Sequence, residues 1–215
     1  MKLYIGNKNY SSWSLRVWLT MKMKGIPFEE ELRPFDVENE YADFFEFSPH
    51  GKVPVLIDDG QTVWESLAIL DYLAEKFPNK SLWPEDRKTR THARCVCHEM
   101  HAGFMALRAA CPMNMRRRIE AIPLDKGVRK DITRIEAIWT ECLDVYGGPF
   151  LFGESFSIAD GMYAPVVNRF EVYDLSSASV VRQYSEALTG LKPWREWDAA
   201  ARREEWIVDI DEVYA

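Results

Sequence analysis

The chain has 215 residues, 47% hydrophobic and 28% charged, which suits one large domain or two modest ones and argues against disorder. A formal net charge of -7 argues against a nucleic-acid partner, and the one basic run, Arg116-Arg117-Arg118, reads as a solvated helix end or loop. No stretch approaches the roughly 20 apolar residues of a membrane span, the N-terminus turns polar too early for a signal peptide, and Cys95, Cys97, Cys111 and Cys142 form no small-domain disulfide framework, so a cytoplasmic location is expected.

The first part of the chain alternates strand and helix signals. Lys2 to Gly6 reads as a short buried strand and Asn7 to Ser12 as a polar loop. From Ser14, the apolar positions Leu15, Trp18 and Leu19 follow helical spacing until Gly25 and Pro27 end the helix. Phe28 to Leu32 is a second strand, parallel to the first because a helix separates them. Val37 to Phe47 is weakly helical. Val53 to Ile57 and Gln61 to Trp64 flank the Asp58-Asp59-Gly60 turn as a hairpin. Ser66 to Phe77 is an amphipathic helix closed by Pro78-Asn79. The order is βαβαββα. After Pro84 the signals are helical only: Arg87 to Ala110 as one long helix, then Gly127 to Tyr146, Ser157 to Tyr173, Ser179 to Leu188 and Pro193 to Glu205. Two domains are expected, residues 1–79 of α/β type and residues 86–215 all-α.

Four features of the first domain point to one ligand. Ser11-Ser12-Trp13-Ser14 lies where a loop enters a helix, and the unpaired N–H groups of a helix start favour an anion. A hydroxyl there can donate to a thiolate and lower its pKa from about 8.5; two units correspond to about 2.7 kcal/mol. Val53-Pro54 opens a strand, and a cis bond there leaves the Val53 backbone free to pair with an extended peptide. Ser66 at the next helix start suits a carboxylate, Glu65 beside it an ammonium, and Lys52 a second carboxylate. Taken singly, each has an ordinary use as a helix cap, a trans edge proline or a solvated lysine.

Their order and spacing are more specific. Ser11-Ser-Trp-Ser-Leu-Arg-Val-Trp18 resembles the zeta-class SSCxxRVRI signature of the cytosolic glutathione S-transferases. Pro49-His-Gly-Lys-Val-Pro-Val-Leu56 resembles that family's NPxxxVPxL segment, and Trp64-Glu-Ser-Leu-Ala-Ile-Leu-Asp-Tyr-Leu73 is similar to its ES-x-AI-x-YL helix start. The resemblance implies a thioredoxin-like first domain, an all-helical second domain, a homodimer, and glutathione as co-substrate without a metal. It carries the thiol-facing role to Ser11, with Ser12 as the backup, and glutathione contacts to Val53, Pro54, Glu65 and Ser66. Trp13 replaces the signature's cysteine, which argues against thiol-disulfide chemistry and against a maleylacetoacetate isomerase; it either walls the thiol pocket or packs.

The second domain carries Ser157-Ile-Ala-Asp160, a capping box, with Gly161 where a hydrophobic staple would sit. Losing the Asp160 cap is expected to cost roughly 1 kcal/mol. Cys97, His98 and His101 make a poor zinc site, because three ligands lack a fourth at suitable spacing. His101, Met105 and Arg108 are candidates for a second-substrate pocket, against a Met-rich core or dimer seam. The implied activity is attack of the glutathione thiolate on a small, largely apolar electrophile. A double-bond isomerase and a non-catalytic glutathione-dependent carrier or interaction protein are the alternatives.

Overall fold

The computed structural model describes residues 1–36, 38 and 41–213. Strand β1 (Lys2–Ile5) buries Leu3 and Ile5, then pairs in parallel with β2 (Glu29–Leu32) and antiparallel with β3 (Val55–Asp58), which pairs antiparallel with β4 (Gln61–Trp64). The sheet order is β2-β1-β3-β4. Strand β2 reads Glu-Glu-Glu-Leu, a poor strand by propensity, and cations compensate it. Lys2 bridges Glu29 and Glu31, while Glu30 takes Lys8 and the Trp18 indole N–H. Asp59 and Gly60 both have positive φ (49° and 79°), as a two-residue hairpin turn requires.

Helix α1 (Ser12–Met23) joins β1 to β2, and α2 (Ser66–Lys76) follows β4. The weakly helical segment expected at 37–47 is a short 3₁₀ turn, Ala42–Glu46; Val37, Asn39 and Glu40 lie outside the described residues. The helical part comprises α3 (Arg87–Ala102), α4 (Met105–Ala110), α5 (Lys126–Tyr146), α6 (Ile158–Val172), α7 (Ser179–Thr189) and α8 (Lys192–Ala201). The single helix expected over 87–110 is two, because Phe104 turns left-handed at φ 57° and buries its ring. The last helix stops at Ala201, short of Glu205.

Helix α6 is buried along nearly its whole length and packs on α1 as well as on α3 and α7. Gly161 explains itself here: a Cβ would lie 2.1 Å from Thr20 Oγ1 and 3.1 Å from the Arg16 carbonyl oxygen. The staple position is empty because helix α1 occupies that space. The apolar core runs unbroken through both parts, from Leu3 and Leu19 to Met162 and Trp197. The Arg116–Arg118 run is in a loop, yet two of its guanidiniums are not simply solvated. Arg116 donates to the carbonyls of Glu204 and Trp206, and Arg117 to that of Val213, tying down the C-terminal segment.

Candidate active site between two cavities

Ser11 is the N-cap of α1 and only 4% exposed. Its Oγ lies 2.7 Å from Ser14 Oγ, which also accepts the Gly6 N–H at 3.1 Å. Ser12, one residue on, is more open and makes no side-chain hydrogen bond among the described residues. Both serines line a cavity of about 250 Å³ walled by the rings of Tyr10, Trp13, Phe35, Tyr41 and Phe44, with Lys52 and Val53 at its edge.

A second cavity, about 200 Å³, is polar and lies against Trp13, Lys52, Val53, Pro54, Glu65 and Ser66, joined by His50, His101 and Arg108. The two cavities share Trp13, Lys52 and Val53, so the Trp13 ring is a wall between them. The Val53–Pro54 bond is cis, and among the described residues the Val53 backbone has no hydrogen-bond partner. Ser48 pins the next loop by accepting the Lys52 N–H and donating to the Lys52 carbonyl, which leaves the Lys52 ammonium exposed.

Glu65 sits at φ 68°, ψ 130°, a conformation that costs a non-glycine residue about 1–3 kcal/mol and fixes where its carboxylate points. Its oxygens lie 3.7 Å from His50 Nε2 and 3.9 Å from His101 Nε2, too far for hydrogen bonds. Burial lowers the His101 pKa, which Glu65 opposes, so that ring is neutral near pH 7 and forms no ion pair with Glu65. Ser66 starts α2; it is buried, and its Oγ has no partner among the described residues. An unsatisfied hydroxyl beside the unpaired N–H groups of a helix start, facing the Glu65 carboxylate, fits a ligand carrying an α-carboxylate and an α-ammonium.

Two cations flank the wall. The Arg16 guanidinium is fully buried, 4.1 Å from the Trp13 ring centre, and the Arg108 guanidinium lies 4.9 Å from it. Arg16 Nε donates to the Met162 carbonyl, while Nη1 and Nη2 have no partner among the described residues. Burial, then Arg169 and Arg108, depress its pKa, and burial does the same for Arg108.

The sequence-derived residues therefore divide. Ser11 and Ser12 face the aromatic cavity, and Pro54, Glu65 and Ser66 the polar one. Trp13, Lys52 and Val53 belong to both. His101 and Arg108 sit with Glu65 and Ser66, away from the aromatic cavity, and Met105 lies outside both, 62% exposed with its sulfur against Arg108. Sequence reasoning missed Tyr10, Phe35, Tyr41, Phe44 and His50. For Phe35, Tyr41 and Phe44 the one signal was the density of rings between Phe35 and Phe47 in a stretch without apolar periodicity. Among the described residues no His, Cys, Asp or Glu cluster could hold a metal ion, and no helix is long and apolar enough to cross a membrane.

Comparison with known proteins adds independent findings. The family model for the glutathione S-transferase N-terminal domain matches residues 10–76, and that for the C-terminal domain matches residues 100–197. The chain is 29% identical over 188 residues to a probable maleylacetoacetate isomerase of Caenorhabditis elegans, covering 84% of this chain and 86% of that protein. It is also 29% identical over 161 residues to glutathione S-transferase L1 of Arabidopsis thaliana, covering 74% and 62%. Its fold is similar to that of a glutathione transferase homologue from Burkholderia solved with bound glutathione, with TM-score 0.71, 26% identity, and 94% and 97% of the two chains covered. With both halves of one family matched in order along the sequence, the chain belongs to the glutathione S-transferase family.

Proposed function

We propose that this protein is a glutathione transferase that ionises the glutathione thiol and adds it to a small, flat, largely apolar electrophile. The observation that carries this is the meeting of the two cavities at Val53 and Trp13, with Ser11 on the far side of the meeting point. The γ-glutamyl end fits the polar cavity, its ammonium at Glu65 and its carboxylate at Ser66 and the α2 start. The cysteinyl backbone pairs with Val53, and Lys52 is in reach of the glycyl carboxylate. The sulfur then enters the aromatic cavity beside Ser11, whose O–H stabilises the thiolate. The sulfur lone pair forms a C–S bond, and the displaced electron pair leaves with the leaving group or is protonated on a conjugated acceptor. Location in the cytoplasm and a homodimer go with this reading; light scattering that reports a monomer at working concentration would remove the dimer.

The relatives named maleylacetoacetate isomerase make a glutathione-dependent isomerase the second reading. Such a substrate is a dianion. Of the groups that would meet it, the Arg108 guanidinium and the neutral His101 ring stand in the polar cavity, whereas the cavity next to Ser11 is ringed by aromatic side chains with Lys52 at its edge, which favours the transferase. A protein that only carries glutathione has no use for an ionised thiol. The test is the ultraviolet thiolate absorbance of bound glutathione, titrated against pH. The expected bound pKa is about two units below the free value, and a bound thiol that titrates as it does in solution ends the catalytic reading.

A further inference from the structure

We infer that Ser14 is a positioning residue that turns the Ser11 hydroxyl into a donor toward the thiol; this rests on the reading of Ser11 given above. Ser14 is the third residue of α1, fully buried, and its Oγ has two neighbours: the Gly6 N–H at 3.1 Å and Ser11 Oγ at 2.7 Å. Ser11 also lies 3.4 Å from the Ser14 N–H, a long capping contact.

A hydroxyl has one proton and two acceptor positions. The Gly6 N–H can only donate, so it occupies one acceptor position of Ser14 Oγ and fixes the polarity there. The Ser14 proton then needs an acceptor, and among the described residues Ser11 Oγ is the one in reach. If Ser11 donated to Ser14 instead, the Ser14 proton would be left buried and unpaired, the costlier arrangement. With Ser14 donating, the Ser11 proton is released from protein partners. It can turn into the aromatic cavity that Ser11 lines, where the sulfur enters. The result is a chain of donors, from Gly6 N–H to Ser14 O–H to Ser11 O–H to thiolate, in which each bond polarises the next. Gly6 directly follows β1, so the sheet itself sets the direction of the chain. Ser12 has no such support among the described residues, which separates two otherwise similar serines.

The experiment titrates the thiolate absorbance of bound glutathione in the wild type and in Ser11→Ala, Ser14→Ala and Ser14→Cys, the cysteine being a weak donor of similar size that serves should the alanine variant fold poorly. The charged and titratable groups lining the two cavities (Tyr10, Tyr41, His50, Lys52, Glu65, His101 and Arg108), and Arg16 beside the Trp13 ring, are common to all four proteins. Binding of S-methylglutathione, which has no thiol to ionise, is measured alongside. The expected result is a bound-thiol pKa raised by about one unit in the Ser14 variants, a tenfold loss of thiolate below the pKa, with S-methylglutathione affinity unchanged. A shift in Ser11→Ala without one in either Ser14 variant overturns the inference and leaves the Ser11 reading standing. Absence of a shift in Ser11→Ala removes that reading and the inference with it. Loss of S-methylglutathione binding in the Ser14 variants reduces Ser14 to a packing residue.

Discussion

Replacing Asp160 by alanine tests how the fold holds α6, the helix packed on α1. As a simple cap, Asp160 would be worth about 1 kcal/mol. The structure gives it more to do. It is fully buried; Oδ2 accepts the Ser157 N–H at 2.8 Å and the Ser157 hydroxyl at 3.0 Å, while Oδ1 accepts the Leu151 N–H at 2.9 Å and the Tyr184 hydroxyl at 3.1 Å. In the alanine variant the two hydroxyls can rotate to other acceptors, but the two N–H groups cannot, and each buried unpaired donor costs about 1–3 kcal/mol. Against that, burial raises the Asp160 pKa, so relief of its desolvation returns part of the loss. The expected net destabilisation is about 3–4 kcal/mol, read by urea unfolding at neutral pH from the midpoint at constant m-value. A loss near 1 kcal/mol would refute the reasoning, since the bonds to Leu151 and Tyr184 would then contribute nothing and the carboxylate would be a local cap after all.

Other outcomes follow from single residues. Arg108→Gln should weaken glutathione binding about tenfold by calorimetry, since the guanidinium lines the polar cavity; an unchanged Kd with a raised KM for the electrophile would return Arg108 to the second substrate. Gly161→Ala should destabilise by about 1–3 kcal/mol through the collision with Thr20, and Thr20→Ala in the same chain should recover part of it; additive losses would mean the two sites do not touch. Burial pushes the Asp211 carboxyl up to about 6, with Arg169 opposing. The folded state therefore holds this proton more tightly than the unfolded one, and the stability it contributes is full below about pH 4 and is lost as pH rises through about 6. Asp211→Asn should match wild type at the acid end and exceed it near pH 7 by about 2 kcal/mol after solvent screening, and a parallel pair of stability–pH curves would contradict this.

The sequence made the hairpin turn and the starts of α1, α2 and α6 readable because each rests on local chemistry, Asp59-Gly60 in the turn and a serine at each helix start. The helix break at Phe104 was not readable, since Gly103 is tolerated inside helices and a left-handed phenylalanine is held by where its ring is buried. Gly161 was legible as a missing staple but not as a contact, because the obstacle is Thr20, distant in sequence. Pro54, Glu65 and Ser66, singled out by motif spacing, do meet at one cavity. The aromatic cavity was not legible, because Phe35, Tyr41 and Phe44 share no helical or strand period and meet only when the segment after β2 folds back over Val53.

The placement of the loop that leads into the serines is a property of both parts of the chain. The loop before Ser11 exposes backbone groups that the sheet does not satisfy, and residues far along the sequence take them up. Glu204 accepts the N–H groups of Lys8 and Asn9 at 2.7 and 3.0 Å, and the Trp197 indole donates to the Lys8 carbonyl. Met115 N–H donates to the Asn9 carbonyl, and Arg116 N–H to its side-chain oxygen. Arg116 in turn holds the carbonyl of Glu204, so the clamp is closed on itself. Without the helical half, the N–H and carbonyl groups of Lys8 and Asn9 lose these partners. Ser11 itself is held by Ser14 and by the Asn7 carbonyl, and the helical half adds order to the loop that leads into it.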